Sequence, residues 1–232
     1  MKMDLQQLEK ELKNLSLEDR LAHIGKLYPA NKIAFSSSFG QEDQAITYAI
    51  AKENLGFRIF TLDTGRQFQE SYELMDLTTQ KYKISLETFF PNTSKVEELV
   101  QAKGFNSFYT SVENRKECCY IRKIEPLNRA LKGTEVWITG LRAEQSDNRS
   151  NMPMFEWDES KQLLKFNPII DWTFQQLENY LNINSIPQNT LHKKGFISIG
   201  CAPCTRAITE GEHPRAGRWW WEQSQKECGL HK

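Results

Sequence analysis

The chain lacks an excess of charge of either sign. Its 232 residues include 30 lysines and arginines and 30 aspartates and glutamates, which gives a formal net charge of zero. Proteins that bind nucleic acids or anionic membranes attract them with a surplus of basic residues. The composition therefore argues against partners of these two classes and leaves local basic clusters as the candidates for binding a small anion.

Long hydrophobic runs are absent as well. A membrane-spanning helix needs about 20 consecutive apolar residues, and no stretch of the sequence approaches that length. Residues 1–5 also lack the features of a secretory signal. We therefore expect a cytoplasmic protein, in which cysteines act as metal ligands or catalysts rather than in structural disulfides.

Cysteine is scarce, and its five copies are confined to two stretches. Four of them form two pairs: adjacent Cys118 and Cys119, and the C-x-x-C motif of Cys201 and Cys204. Each pair alone would also fit ordinary buried residues or a redox dithiol. Together they make a four-thiolate set for one metal centre, and adjacent thiolates suit two irons of a cluster better than one tetrahedral zinc. The pattern therefore favours a 4Fe-4S cluster over zinc.

The fifth cysteine, Cys228, has no partner in this pattern. It lies near the C-terminus, between Glu227 and Gly229. Such a position is a poor place to bury an apolar side chain and a good place for a nucleophile. Cys228 is therefore a candidate catalytic residue.

Predicted strands and helices alternate along most of the chain. Two amphipathic helices come first, at residues 5–15 and 16–27, and short apolar strands separated by helical segments follow. The strands are predicted at residues 32–35, 56–62, 84–89 and 135–139, with a hairpin at 154–157 and 163–166. This alternation predicts an α/β fold, a doubly wound, mostly parallel sheet with helices on both faces.

The predicted elements divide the chain into three parts. Residues 1–30 form an N-terminal helical segment, and residues 31–210 form an α/β domain with the metal site. Residues 211–232 form a C-terminal tail that carries Cys228. The sequence contains no internal repeat, low-complexity tract or interdomain linker.

Polar loops follow three of the predicted strands. They contain the serines at 36–38, the segment 62–66, and Gly140 with Arg142. The carboxyl ends of parallel strands are where open α/β folds bind ligands. Backbone N–H groups at a helix N-terminus and arginine side chains both suit an oxyanion there. By itself, the first loop is about as compatible with an ordinary strand-to-helix turn, and the second would also fit a capped helix start. The third, taken alone, is better explained as a solvated loop.

Taken together, these features resemble the assimilatory sulfonucleotide reductases. This family comprises the thioredoxin-dependent adenylyl-sulfate (APS) reductases and their phosphoadenylyl-sulfate (PAPS) relatives. The resemblance extends from about residue 32 to residue 231 and rests on six motifs in the same order. They are residues 36–43, 62–66, 118–119, 139–142 with 145–146, 201–204 and 227–231. The four paired cysteines make the chain most similar to the iron-sulfur branch that uses APS.

The resemblance implies a fold and an activity. The fold would be adenine nucleotide alpha hydrolase-like, and the enzyme would be an oxidoreductase acting on a sulfur group in sulfate assimilation and cysteine biosynthesis. It would reduce APS to sulfite and AMP through an S-sulfonate on Cys228, which reduced thioredoxin or glutaredoxin would resolve. One 4Fe-4S cluster per subunit would be held by Cys118, Cys119, Cys201 and Cys204. We also expect a homo-oligomer.

The resemblance further implies a set of substrate-binding residues. Because a thiolate and a phosphosulfate are both anions, the site must supply cations, and the implied ones include Lys123, one turn beyond Cys119. A thiolate-ligated cluster would orient that lysine and shape the field at the sulfate. The implied substrate-binding residues are Ser36, Ser37, Ser38, Leu62, Asp63, Thr64, Gly65, Arg66, Lys123, Gly140, Arg142, Arg215, Arg218 and His231.

Several other functions fit parts of this pattern. A PAPS reductase, or a dual APS/PAPS reductase, differs only in a 3'-phosphate pocket that motif spacing does not reveal. An ATP pyrophosphatase-type tRNA thiolase would carry S-G-G-x-D-S in the first loop, where this chain has S-S-S-F-G-Q-E-D. A zinc-stapled nucleic-acid-binding module would use the four paired cysteines, but zero net charge and the separate Cys228 argue against it.

Overall fold

The first elements of the fold are two helices whose N-termini are capped by side chains. The computed structural model describes residues 4–146 and 149–222. Helices α1 (Leu5–Leu12) and α2 (Leu17–Leu27) begin after Asp4 and Ser16, whose side chains accept hydrogen bonds from backbone N–H groups of the first turn. These caps satisfy donors that a helix start leaves without partners. The two predicted N-terminal helices are confirmed.

Six strands form one mostly parallel sheet. Their order is β3-β2-β1-β4-β6-β5, with β1 parallel to β2 and β4, β4 parallel to β6, and β5 antiparallel to β6. The strands are β1 (Ile33–Ser36), β2 (Arg58–Leu62), β3 (Leu86–Phe89), β4 (Val136–Ile138), β5 (Phe155–Asp158) and β6 (Leu163–Phe166). The predicted sheet and its hairpin are therefore confirmed.

In the described part of the chain, six further helices connect and follow these strands. They are α3 (Gln41–Lys52), α4 (Gln69–Tyr82), α5 (Thr93–Lys103), α6 (Val112–Cys119), α7 (Glu125–Ala130) and α8 (Phe174–Ile183). A capping box joins Thr173 and Gln176 at the start of α8, as their spacing predicts. For α5 the sequence pattern predicts Ser94 as the N-cap. This prediction is wrong, because the side chain of Asn92 accepts the hydrogen bond from Lys95 N–H instead.

The helix around the cysteine pair differs from the prediction. Sequence periodicity places a helix only after Cys119, whereas α6 ends at Cys119 and a π-helical turn, Tyr120–Ile124, leads into α7. Helix α6 is mostly polar, so it carries no apolar stripe from which to predict it. The side chain of Ser111 caps its start by accepting from Asn114 N–H.

The chain divides into two compact units. The first comprises Met1–Phe60, Leu74–Glu87 and Gly133–Gln188, and the second comprises Thr61–Glu73, Thr88–Lys132 and Asn189–Lys232. Each unit combines separate segments of the chain. The three-part division at residues 30 and 210 stays a prediction.

The first unit holds the main hydrophobic core. Strand β1 is fully buried at Ile33, Ala34 and Phe35, which is typical of a strand covered on both faces. The N-terminal helices belong to the same core, and buried Arg20 of α2 forms a two-bond ion pair with Asp171 at 2.7 and 2.8 Å. Among the helices of residues 4–146 and 149–222, each is too short or too polar to cross a membrane.

Candidate functional site

In the first unit, the serine loop after β1 is organised by its own hydrogen bonds. Ser38 donates from its backbone N–H and its hydroxyl to Asp43, at 2.6 and 2.7 Å. The N–H of Phe39 donates to the Ser37 hydroxyl, and the N–H of Ser37 donates to the carbonyl of Phe60. Buried Phe39 has a left-handed backbone with φ of 58°, a conformation that is costly for a non-glycine residue. The loop is therefore held in one shape by internal contacts.

These contacts determine which hydrogen-bond donors of the loop remain available to bind an anion. The N–H groups of residues 37–39 are engaged within the protein, and the Ser36 hydroxyl accepts a hydrogen bond from the Trp137 indole at 2.8 Å. Gly40, the N-cap of α3, has no side chain with which to cap the helix. The first turn of α3 is thus the part of this loop best suited to an oxyanion.

Asp43 is a buried carboxyl group with a raised pKa. Burial raises the pKa of Asp43 to about 7, and the charge of Glu42 adds to the rise, while the hydrogen bonds from Ser38 oppose it. Asp43 leaves no room for a side chain at position 140, because a methyl group there would overlap the Oδ1 atom of Asp43. Glycine is therefore required at position 140 by the close approach of this carboxyl group.

Arg142 joins the loop after β4 to the loop after β1. Its Nε donates to Glu42 at 2.9 Å and its Nη1 donates to Glu144 at 3.2 Å, with its guanidinium 5.7 Å from the ring centre of Phe174. The loops after β1 and β4 therefore contact each other within the first unit. The Arg142 side chain is buried and already paired with two carboxylates.

In the second unit, the two cysteine pairs line one cavity. Cys118 and Cys119 come from the end of α6. Cys201 immediately precedes a short 3-10 turn, and Cys204 is the last residue of that turn. Basic side chains surround the thiols. The residues that line the cavity are Arg66, Phe108, Arg115, Cys118, Cys119, Arg122, Lys123, Cys201, Pro203 and Cys204.

Local backbone structure explains this convergence. The π-helical turn after Cys119 carries Arg122 and Lys123, and π-turns within helices are frequent at functional sites. Arg122 donates from Nη1 to the Thr64 carbonyl at 2.6 Å, and the Thr64 hydroxyl lies 3.3 Å from the Cys201 sulfur. The loop after β2 is therefore joined to both cysteine stretches.

The thiols differ in how readily they ionise. Burial is the largest influence on Cys201, yet the charge of Lys123, the hydrogen bond with Thr64 and two arginines together outweigh it and lower the pKa of Cys201. Burial raises the pKa of Cys204 to about 12, and the neighbouring cysteines add to the rise. Burial likewise raises the pKa of Cys118. Of these three thiols, Cys201 is therefore the one whose ionised form the surrounding cationic side chains stabilise most.

Four buried N–H donors of the second unit have no hydrogen-bond partner in the described part of the chain. They are Nε of Arg122, Nε of Arg218, and the indole Nε1 atoms of Trp219 and Trp221. Trp219 packs with Cys204 in an apolar cluster that also contacts Trp221 and two further cysteines. A buried donor without an acceptor costs about 1–3 kcal/mol. The arrangement therefore points to an acceptor near the thiols.

The donor set around the cavity fits an iron-sulfur cluster by its chemistry. Four cysteines supply the thiolate ligands of such a cluster, and its sulfur atoms accept hydrogen bonds from N–H groups. Within residues 4–146 and 149–222, no group of three or more His, Cys, Asp or Glu side chains is arranged to hold a metal ion. The fit accordingly rests on the shared cavity, the donor set and the N–H groups that need an acceptor.

Trp219 marks the junction between the C-x-x-C loop and the C-terminal tail. Its backbone is left-handed, with φ of 42°, although its side chain is almost fully buried. Its N–H donates to the Cys204 carbonyl at 3.1 Å, and the guanidiniums of Arg115 and Arg218 lie 4.6 and 4.7 Å from its ring. A strained, buried residue held on several sides is typical of a functional site.

The remaining predicted residues of the second unit make mostly local contacts. Asp63 accepts from Gly65 N–H at 2.7 Å and from the Tyr72 hydroxyl at 3.0 Å, which orders the loop after β2. The Leu62 carbonyl accepts from the side chain of Gln67.

The predicted arginines of this unit have different environments. Arg66 lines the cavity, donates to the Phe105 carbonyl and lies 5.1 Å from the Phe108 ring. Buried Arg218 donates to the Ile199 carbonyl at 3.3 Å. Half-buried Arg215 is not among the lining residues of the cavity.

Four residues of this region were not predicted from the sequence, and two predicted residues lie outside the described part of the chain. Arg115, Arg122, Trp219 and Trp221 carried no assigned role, although Arg122 adjoins Lys123 and the three consecutive tryptophans are conspicuous in the sequence. The predicted nucleophile Cys228 and the predicted substrate residue His231 lie outside the described residues.

Comparison with known proteins gives consistent results. Residues 32–207 match the family described as the phosphoadenosine phosphosulfate reductase domain. The adenosine 5'-phosphosulfate reductase of Allochromatium vinosum is 47% identical over 203 residues, covering 87% of this chain and 79% of that protein. The enzyme of the same name from Agrobacterium fabrum is 44% identical over 229 residues, a match that covers 98% of this chain and 87% of that protein.

Solved structures are similar in fold. The phosphoadenylyl-sulfate (PAPS) reductase of Candida auris, a phosphate complex, superposes with a TM-score of 0.75 at 26% identity, covering 88% of this chain and 98% of that one. Candida glabrata FMN adenylyltransferase shares only the fold. It superposes with a TM-score of 0.58 at 13% identity, and the match covers 98% of this chain and 77% of that one. The family match spans most of the chain and the curated relatives cover nearly all of it, so this protein belongs to the phosphoadenosine phosphosulfate reductase domain family.

Proposed function

We propose that this protein reduces adenosine 5'-phosphosulfate to sulfite and AMP, as an oxidoreductase acting on a sulfur group in sulfate assimilation. The observation that carries the proposal is the single cavity lined by both cysteine pairs together with Arg66, Arg122 and Lys123. A cavity of thiols and cations suits chemistry on an activated, anionic sulfur group.

The relatives favour APS over PAPS as the substrate. Those of 44–48% identity are named adenosine 5'-phosphosulfate reductases, whereas the PAPS reductase of Candida auris is 26% identical. The two cysteine pairs agree with the branch that uses APS. We therefore keep PAPS reduction, alone or alongside APS, as the second candidate.

The proposed chemistry proceeds in two steps through Cys228. Its thiolate attacks the terminal sulfur of APS, the sulfur–oxygen bond breaks, and AMP leaves with the bonding electrons. The product is a cysteine S-sulfonate on Cys228. A thiolate of a dithiol reductant then attacks the Cys228 sulfur, sulfite leaves with its electron pair, and the second thiol of the reductant resolves the mixed disulfide. The reductant is thereby oxidised by two electrons.

The first step brings together two anions and so depends on the cations of the site. Lys123 and Arg66 line the cavity, and the charge of Lys123 already contributes to lowering the pKa of Cys201. Guanidinium and ammonium groups that face the transferred sulfate oxygens would stabilise the charge as it moves to the leaving phosphate. Arg215 and Arg218 are the further proposed cations of the tail.

The four paired cysteines would hold one 4Fe-4S cluster per subunit. Cys118, Cys119, Cys201 and Cys204 supply its thiolate ligands in this proposal, and the indole N–H groups of Trp219 and Trp221 suit its sulfur acceptors. When bound, the cluster would supply a fixed negative group that organises the surrounding cations. Electrons reach the substrate sulfur through thiols, in the two steps given above.

The partners follow from the same chemistry. Reduced thioredoxin or glutaredoxin is the proposed reductant, because one thiol of a dithiol can attack the S-sulfonate sulfur and the other can resolve the mixed disulfide. We also propose a cytoplasmic homo-oligomer.

One assay tests the proposal. Purified protein with APS and reduced thioredoxin should release sulfite, and Cys228→Ser should abolish release while leaving the visible absorption of the cluster unchanged. The same assay with PAPS separates the two candidate substrates. Sulfite release by Cys228→Ser at the wild-type rate would remove Cys228 as the nucleophile.

A further inference from the structure

Arg115 of α6 forms a buried ion pair beside the cysteine cavity. Its Nε and Nη2 donate to the two carboxylate oxygens of Glu222, at 2.8 and 2.9 Å. Both side chains are almost inaccessible, with 3% and 4% of their surface exposed. Removing two charges from water offsets much of their attraction, so an apolar pair of similar size would stabilise a fold as well or better. Stability alone therefore does not explain this ion pair.

The same guanidinium reaches one of the cavity's thiols. Arg115 precedes Cys119 by four residues on α6, a spacing that places two side chains on one face of a helix. Both residues line the cavity, and the guanidinium donates a hydrogen bond to the Cys119 side chain. Its centre also lies 4.6 Å from the ring of Trp219. Arg115 thus connects a carboxylate, a thiol and a buried indole ring.

Glu222 has a backbone position that other contacts fix. Its N–H donates to the Trp219 carbonyl at 2.9 Å. The preceding residue, Trp221, packs against Tyr109 with ring centres 4.4 Å apart. The carboxylate therefore accepts the guanidinium from a supported position, and a two-bond pair of this kind fixes distance and orientation together.

We propose that Glu222 orients Arg115 so that its guanidinium donates a hydrogen bond to the Cys119 sulfur when the cluster is bound. The two residues are then positioning residues for the metal centre. Because Glu222 balances the charge of Arg115, the pair supplies a directed hydrogen bond with little net charge. The inference rests on the 4Fe-4S cluster of the proposed function.

The expected size of the effect follows from other metal sites. Groups that hydrogen-bond to metal ligands orient those ligands, and their loss typically lowers metal affinity by about 10- to 100-fold. Hydrogen bonds to the ligand sulfurs also tune an iron-sulfur cluster. We therefore expect loss of the ion pair to speed iron release by about tenfold or more.

The test replaces the ion pair by an apolar pair, Arg115→Met combined with Glu222→Leu. Protein loaded with iron and sulfide is mixed with an iron chelator, and the decay of the visible cluster absorption gives the release rate. The double variant should lose its iron about tenfold faster than wild type. It should still fold, because no buried charge is left without a partner, and far-UV circular dichroism of the loaded proteins checks this.

A single substitution separates the directed hydrogen bond from charge alone. Arg115→Lys keeps the positive charge but replaces the planar fork by a single ammonium group. Such a group cannot pair with both oxygens of Glu222 and also donate to Cys119 in a fixed direction. Arg115→Lys should therefore release iron faster than wild type. Release at the wild-type rate would show that charge suffices and would overturn the inference.

A second ion pair of α6 provides the matched control. Lys103 and Glu117 are 2.6 Å apart, each with 41% of its side chain exposed, and neither residue lines the cavity. Glu117 directly precedes the cysteine pair. Lys103→Met combined with Glu117→Leu makes the same kind of replacement on the same helix and should leave the rate of iron release unchanged.

The possible outcomes separate this inference from the proposed function. Wild-type protein that binds neither iron nor acid-labile sulfide overturns the proposed cluster and the inference with it. Iron release at the wild-type rate in the folded Arg115→Met/Glu222→Leu variant overturns the inference alone. Equal acceleration in the Lys103→Met/Glu117→Leu control also overturns it, because any ion pair of α6 would then have the same effect.

Discussion

The serine loop of the first unit and the cysteine cavity of the second unit satisfy their polar groups in opposite ways. In the loop, Ser38 and Asp43 bond to each other, and Arg142 bonds to Glu42. At the cavity, the indole donors of Trp219 and Trp221 are buried without an acceptor in the described residues. The polar groups of the loop are therefore satisfied by one another, whereas the indole donors that pack with the cysteines have no acceptor in the described part of the chain.

Removing one thiol of the cavity should abolish cluster binding. Cys204→Ser leaves three thiolates for a cluster that takes four, so we expect loss of nearly all bound iron and of the visible absorption. Iron and acid-labile sulfide analysis measures the result. Cys228→Ser is the matched control and should keep its iron, because that cysteine is not a proposed ligand. A Cys204→Ser protein with full iron and sulfide content would show that the cavity does not hold the cluster.

The buried carboxyl group of the loop should make stability depend on pH. The pKa of Asp43 is raised to about 7 in the folded protein, against about 3.9 in the unfolded chain. A raised pKa means that the contribution of this group is fully present below about pH 4 and is lost as pH rises towards about 7.

The variant Asp43→Asn removes this pH dependence while keeping an oxygen that can accept from Ser38. The free energy of unfolding of wild type should therefore fall relative to Asp43→Asn between about pH 4 and 7, by at most about 4 kcal/mol. Urea unfolding across this range measures it. Parallel pH profiles of the two proteins would mean that Asp43 titrates normally.

A methyl group at Gly140 should disrupt the loop by overpacking. Gly140→Ala places a carbon where Asp43 Oδ1 lies, and we expect a loss of about 1–3 kcal/mol in the free energy of unfolding. In the control Gly40→Ala, the added carbon meets the Ser38 hydroxyl at an ordinary 3.6 Å, and the loss should stay below about 1 kcal/mol. Equal losses in the two variants would show that Asp43 does not crowd position 140.

Removing one unpartnered donor should have an effect only when the cluster is bound. Trp221→Phe deletes an indole N–H that has no acceptor among the described residues. Without the cluster the variant should be as stable as wild type, within about 1 kcal/mol, because no hydrogen bond is lost. With the cluster it should release iron faster to a chelator. The same iron release rate in both proteins would remove this indole as a donor to the cluster.

The fold could largely be predicted from the sequence because its signals are local. Apolar runs placed the strands near their observed positions, and short-range caps such as Ser16 and Thr173 placed helix starts correctly. Helix α6 was missed because its sequence is polar and its position is set by tertiary contacts. The cap of α5 was misplaced because Asn92 and Ser94 are both good capping residues.

The candidate site could be predicted only where chemistry identifies a residue type. Cysteine is rare in the chain, so the convergence of its two pairs followed from thiol chemistry. The pairing of Arg115 with Glu222 joins residues that are 107 positions apart, and no sequence pattern indicates such a contact. The raised pKa of Asp43 could not be predicted from the sequence either, since it arises mainly from burial in the folded protein.

The central claim is that Cys228 carries the sulfo group between APS and the reductant. The most direct test mixes the protein with APS in the absence of reductant and compares AMP release with the mass of the peptide containing Cys228. We expect one AMP for each peptide that gains about 80 Da, the mass of an SO3 group, and loss of that mass as sulfite when reduced thioredoxin is added. AMP release with no mass gain at Cys228 would contradict the account.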